Sequence, residues 1–192
     1  MAQRGRSRGF QTRYAGWEED LRFGSKAQMA GSNNDVAVRS TNGKTEMRKR
    51  QMQFDLFEID APDVWLDTTN YDRDEEPTTL AKQDGVGALQ FSIARYSGGR
   101  VPNPSSEDLL EMALQFGKSH GFGAAFNLTS QTGPLSVAAA SYRDSGDFIR
   151  VWYVSDGFSF AFVTYICLPG SESSELADYE AIVRSIQFRR KG

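Results

Sequence analysis

The sequence predicts an α+β fold in which an antiparallel β-sheet packs with helices, and three observations predict it. Residues 54 to 59 and 89 to 93 alternate with the period of a strand, and three long strand runs follow at 135 to 143, 148 to 155 and 158 to 167. Two stretches, 105 to 119 and 173 to 186, instead carry apolar residues at helical spacing. Asp84-Gly85 and Asp156-Gly157 are turn pairs set between alternating runs, which marks hairpins.

Taken in order, the first strand is Phe54 to Ile59, and Ala61-Pro62 forces an extended turn before Val64, Trp65 and Leu66. The acidic, Pro-containing residues 72 to 77 read as loop. Residues 78 to 83 and 87 to 96 form a hairpin whose second strand sets Leu89, Phe91 and Ile93 on one face. Pro102 and Pro104 stop the sheet. Ser105 with Asp108 three positions on is a helix start, and Leu109, Met112, Ala113 and Phe116 make the buried stripe, widened by Leu110 and Leu114 and ended at Gly121.

A meander of three strands follows, at 135 to 143, 148 to 155 and 158 to 167. A two-residue type I′ turn at Asp156-Gly157 would set Ser155 opposite Phe158, Tyr153 opposite Phe160, Val151 opposite Phe162 and Ile149 opposite Thr164. A four-residue loop at 144 to 147 brings Tyr142, Ala140 and Ala138 to that same apolar side. The other side is mixed: Phe148, Arg150 and Trp152 stand beside Tyr165, Val163 and Ala161, with Arg143 and Ser141 next along. The last helix places Leu176, Tyr179, Ile182, Val183 and Ile186 at helical spacing, and Gln187-Phe188 close the pattern before a basic tail.

Charge divides the chain. Residues 1 to 50 carry eleven Lys and Arg against five Asp and Glu, a balance of +6, whereas residues 51 to 192 carry eleven against twenty, a balance of −9. The first fifty have few large aliphatics and no sustained apolar period, so they are expected to form a basic, disordered N-terminal arm. Residues 52 to 192 are expected to be one domain, long enough to bury roughly two-thirds of their unfolded surface.

Composition excludes several chemistries. One cysteine, Cys167, allows no internal disulfide, and one histidine, His120, leaves no four-ligand Cys/His zinc site; a carboxylate-only site stays open, but the acidic residues 72 to 76 lack the alternation and central Gly of a calcium loop, so no cofactor and no metal are expected. His120 reads as a helix-terminal residue and Cys167 as the end of an interior strand, with no spacing that pairs a base with a nucleophile. Gly85-Val86-Gly87 and Gly121-Phe122-Gly123 lack the third glycine or the Gly-Lys of a phosphate loop and read as turns. No apolar run of about 18 residues is present, nor an apolar leader, so no membrane association is expected and the cytoplasm is the default compartment.

With strands, helix, meander and helix assembled, two stretches carry a resemblance: Ala61-Pro62-Asp63-Val64-Trp65 early, and Ile182 through Ser185-Ile186-Gln187-Phe188 at the end. Over about residues 52 to 190 the chain resembles the PsbP and Mog-like superfamily. The resemblance implies a sheet sandwiched between helices and a partner-binding, non-enzymatic role of adaptor, chaperone-like or immunity type. It supplies no functional residue by itself.

The residues therefore suggest a binding module for another protein, with Arg143, Arg150, Trp152 and Tyr165 as the candidate contacts, because Trp, Tyr and Arg dominate interface hot spots. If the last helix covers that sheet face instead, the aromatics are core. The alternative is a nucleic-acid-associated protein using Arg4, Arg6, Arg8 and Arg13, although the −9 balance of the remaining residues opposes a contribution from the folded part. An exposed sheet edge could also pair with a second copy as a homo-oligomer.

Overall fold

The computed structural model describes residues 48–72, 76–96 and 101–189, all within the compact unit Lys44–Gly192. Arg4, Arg6, Arg8 and Arg13 lie outside the described residues. The chain opens with a hairpin of β1 (Lys49–Gln53) and β2 (Phe57–Pro62), in register Lys49 to Pro62 and closed by a hydrogen bond from Phe54 N to Phe57 O at 2.9 Å. The expected strand at 54 to 59 thus starts three residues late, and β1 begins before the expected domain boundary at 52. The reason is that Met52 is the one apolar residue of β1, so the strand carries no apolar period and owes its strand state to the ladder with β2.

Phe57, Ile59 and Ala61 alternate inward along β2, and a turn at Asp63-Val64 leads into β3 (Trp65–Asp67), whose indole is fully buried. The hairpin of β4 (Thr78–Lys82) and β5 (Gly87–Arg95) is as expected, with Leu80, Leu89 and Phe91 in the core. Next comes α1 (Ser106–Ser119). Its start is a capping box: Ser105 Oγ accepts from Asp108 N at 3.1 Å while the Asp108 carboxylate accepts from Ser105 N at 2.9 Å. Leu109 and Ala113 are fully buried, whereas Leu114 is exposed.

A strand that the sequence did not announce follows, β6 (Phe126–Gln131), then β7 (Ser136–Asp144), β8 (Asp147–Ser155) and β9 (Ser159–Cys167). The expected helix at 173 to 186 divides into a 3-10 turn (Glu172–Ser174) and α2 (Leu176–Arg184), which leaves Leu176 exposed and Tyr179, Ile182 and Val183 buried. Finally β10 (Gln187–Phe188) pairs with β2. The strands form two antiparallel sheets, ordered β1-β2-β10 and β3-β4-β5-β9-β8-β7-β6.

The two meander turns exchange the roles expected of them. At the β7–β8 turn Asp144 pairs with Asp147, and the two residues between, Ser145 and Gly146, both take positive φ, as a type I′ turn requires. At the β8–β9 turn the loop is wider: Ser155 pairs with Phe160, Tyr153 with Phe162 and Val151 with Thr164, two residues away from the expected register. Side chains hold this loop open. Asp156 Oδ1 accepts from Phe158 N at 2.9 Å and Ser159 N at 2.6 Å, and Ser155 Oγ accepts from Gly157 N at 3.0 Å. Because side chains alternate with period two, a slip of two leaves every residue on its expected face.

The two faces of the large sheet carry cores of different size. The mixed side is the heart of the molecule: Trp152, Val154, Ala161, Val163 and Tyr165 pack with Tyr179, Ile182 and Val183 of α2 and with Phe57 and Ile59 of β2. The side that reads as more apolar forms a smaller cluster, in which Ala113 of α1 packs with Ala140, Tyr142, Ile149 and Val151. Here α1 stands on β6, β7 and β8.

Candidate interaction surface

Three of the four contact candidates come together, but inside the protein. Trp152 and Tyr165 are 1% and 0% exposed and Arg150 is 4% exposed, because α2 lies over them. Only Arg143 stays at the surface, where it pairs with Glu172 at 3.4 Å and sits over the Phe126 ring. Arg150, Trp152 and Tyr165 are thus core residues of the sheet–α2 layer, the outcome that covering by the last helix entails.

Their role is to hold α2. Arg150 donates through Nε to Glu180 Oε1 at 2.7 Å, and through Nη1 to Ser141 Oγ at 2.9 Å and Asn127 O at 3.0 Å, while its guanidinium lies over Trp152. Tyr165 donates its hydroxyl to Glu175 Oε2 at 2.6 Å, and Lys82 Nζ reaches Asp178 at 2.6 Å. Burial, reinforced by the Glu175 contact, pushes the Tyr165 hydroxyl far above its ordinary pKa. Tyr179 is pushed up as well, by burial against a smaller opposing pull from Arg150, and burial raises the Cys167 thiol. These are locking contacts. Cys167 belongs to this buried layer, whereas His120 caps α1, its Nδ1 2.9 Å from Phe116 O and its ring 4.1 Å from that of Phe116. Among the described residues no cluster of His, Cys, Asp or Glu could hold a metal ion, and no helix is long and apolar enough to cross a membrane.

The uncovered surface is on the other side of the large sheet. Register places the even residues of β9 (Phe160, Phe162, Thr164, Ile166) on the α1 side, beside the even residues of β5 (Ala88, Gln90, Ser92, Ala94). No helix among the described residues packs over this half; α1 reaches β9 through Phe116, whose ring lies 4.9 Å from that of Phe162. Phe160, Phe162 and Ile166 are accordingly only partly buried, and the Tyr153 ring meets Phe162 at 4.9 Å and Phe160 at 5.4 Å in tilted contacts.

The row continues past both ends of the strand. Phe158 O accepts from Tyr96 N at 2.9 Å, extending the ladder by one pair, and Phe158 is 57% exposed. At the other end Leu168 is 66% exposed, next to Val86, because Gly87 pairs with Cys167. Leu66, also exposed, pairs with Ala81 on the same face. Helical spacing puts Met112 one turn before Phe116, so a flexible side chain and a ring form the wall of a trough whose floor is β9 and β5. The face assignment of these residues follows from alternation alone, but their exposure depends on how far α1 extends, which no local pattern encodes.

No family model matches the sequence, and no curated protein does. Among solved structures, the chain is similar to cyanobacterial PsbP (CyanoP) from Synechocystis sp. PCC 6803, with a TM-score of 0.53 and 8% identity over 79% of this chain and 99% of that one. A crystal structure from Bacteroides thetaiotaomicron VPI-5482 aligns at 16% identity with a TM-score of 0.48, over 71% of this chain and 46% of that chain. With an antiparallel sheet, helices against both faces, and an alignment to nearly all of CyanoP, the chain has the PsbP-like fold that its Pro62 to Trp65 and Ser185 to Phe188 stretches resemble.

Proposed function

We propose that the chain is a non-enzymatic protein-binding module whose contact surface is the open half of the α1 side of its large sheet. The observation that carries this is the β9 row: large apolar residues at every second position but Thr164, from Phe158 to Leu168, on a half-face that no helix of the described residues covers. Contiguous apolar surface of this kind, rimmed by polar groups, is a mark of association, since leaving it in water costs roughly 25 cal/mol for each Å². The PsbP-like fold supports the reading as a scaffold that presents a broad sheet face.

A double substitution, Phe158→Ser with Leu168→Ser, tests it. Both side chains are more than half exposed, so stability should stay within about 0.5 kcal/mol of the parent for each change. A partner co-purified with the tagged parent chain from the cells that make it should be lost from the variant. Equal recovery by both folded proteins would place the contact surface elsewhere.

A further inference from the structure

We propose that the occupant of the open face is a cationic amphipathic helix of a partner protein, a refinement that rests on reading this face as the contact surface. Charge placement is the first support. On the α1 side, Asp108 stands one turn before Met112 on the flank of α1 that reaches β9, and Asp144 faces Asp147 across the β7–β8 turn. Phe148 pairs with Cys167, so Asp147 stands beside Leu168. Like charges directly opposite on neighbouring strands disfavour folding, yet no cation neutralises either aspartate among the described residues.

Lys118 is the one Lys or Arg on this side among the described residues. The other cations are turned away: Lys82 and Arg150 make ion pairs beneath α2, Arg184 pairs with Glu180 on α2, Arg143 pairs with Glu172, Arg95 and Arg189 reach the Leu56 and Phe54 carbonyls, and Lys49 and Arg50 are on β1 of the small sheet with Arg48 just before it. The trough therefore has an apolar floor and an acidic rim. A second copy docking through the same face would set acidic rim against acidic rim, which selects against self-association and for a basic partner.

Backbone chemistry chooses the helix. In the order β4-β5-β9-β8 both floor strands are already hydrogen-bonded on each side, so the trough offers no ladder to an extended peptide. A segment laid on apolar side chains must satisfy its own N–H and C=O groups, and a helix does so internally. Size agrees: nine residues of β9 span roughly 30 Å at about 3.3 Å each, the length of a helix of about 20 residues. The wall at Met112 and Phe116 would then hold the partner helix alongside α1.

The test uses the full chain and three synthetic peptides of about 20 residues: Leu and Lys arranged with one apolar face, Leu and Glu in the same arrangement, and the Leu/Lys composition scrambled so that no face forms. The amphipathic Leu/Lys peptide should bind, become helical by circular dichroism, and exceed each control by about tenfold or more in affinity. Asp144→Asn with Asp147→Asn should weaken it several-fold, by about the worth of two exposed charge pairs, and flatten its salt dependence. Phe158→Ser with Leu168→Ser should weaken it about tenfold or more. If only the floor variant matters, or the Leu/Glu peptide binds as well, the cationic assignment falls while the surface stands. If the floor variant binds like the parent, the surface itself is wrong. Equal binding of the scrambled peptide, or no binding by any peptide, overturns the helix.

Discussion

At the scale of single residues, the sheet–α2 layer is an apolar core bolted by charges. Arg150 is the centre of this, since a guanidinium at 4% exposure must be met by carboxylate, carbonyl and hydroxyl acceptors, and Glu180, Asn127 and Ser141 supply all three. Glu180→Ala leaves that charge without its anion, and urea unfolding should show a loss of about 3 kcal/mol, at the low end for a buried pair because Glu180 is partly solvated. Tyrosines give a pH signature. Tyr142, Tyr165 and Tyr179 all have their ionisation pushed up by burial, so each adds stability that is present below the ordinary value of about 10 and is lost as pH rises toward the folded value. Alkaline titration followed by tyrosinate absorbance should show these three of the seven tyrosines appearing together, in the unfolding transition. A smooth titration of all seven near the ordinary value would contradict that burial.

At the scale of elements, α1 is set by its first turn. Removing the capping hydroxyl in Ser105→Ala should cost about 1 kcal/mol in thermal or urea unfolding. The Asp108 carboxyl is held below its ordinary range, first by the Ser105 backbone N–H and then by its hydroxyl, so its contribution is present above about pH 4 and fades as pH falls through the folded value. The Ser105→Ala variant should therefore lose less stability than the parent between neutral and acid pH. Elements of this kind were legible because their determinants are local: a capping box, a helical stripe in α1 and α2, alternation in β5, and long β-branched and aromatic runs bounded by turn residues in β8 and β9. Two strands were not. In β1 the residues Lys49 to Gln53, and in β6 those from Asn127 to Gln131, are nearly all exposed, so neither has an apolar face to announce it, and each becomes a strand by pairing with an inner neighbour. The β8–β9 register was hidden for another reason: Asp156-Gly157 suits a tight turn, and only the side-chain acceptors of Ser155 and Asp156 tip it to the wider loop.

At the scale of the whole molecule, alternation sorted the two faces of the large sheet correctly, but not their coverage. Arg150, Trp152 and Tyr165 share a face whichever register β9 adopts; that α2 seals this face, while α1 leaves half of the other open, depends on contacts between residues far apart in the chain. The same long-range logic makes the C-terminus structural. Ile186 is 2% exposed and Phe188 packs against the larger core, with Phe188 paired to Phe57. Removing residues 186 to 192 should cost more than about 4 kcal/mol, through one buried aliphatic, one large aromatic and a strand pairing. That is a large share of the roughly 5 to 15 kcal/mol of a typical domain, so the truncated chain should melt at much lower temperature or fail to fold. An unchanged melt would show β10 to be dispensable.

The pairing of Gln187 and Phe188 with Glu58 and Phe57 also bears on synthesis. A ribosome makes β2 long before its partner β10, and α2, which roofs Trp152 and Tyr165, emerges just before β10. Until α2 and β10 have both emerged, the nascent sheet keeps the side that forms the larger core bare, which makes the partly made chain a natural client for holdase chaperones.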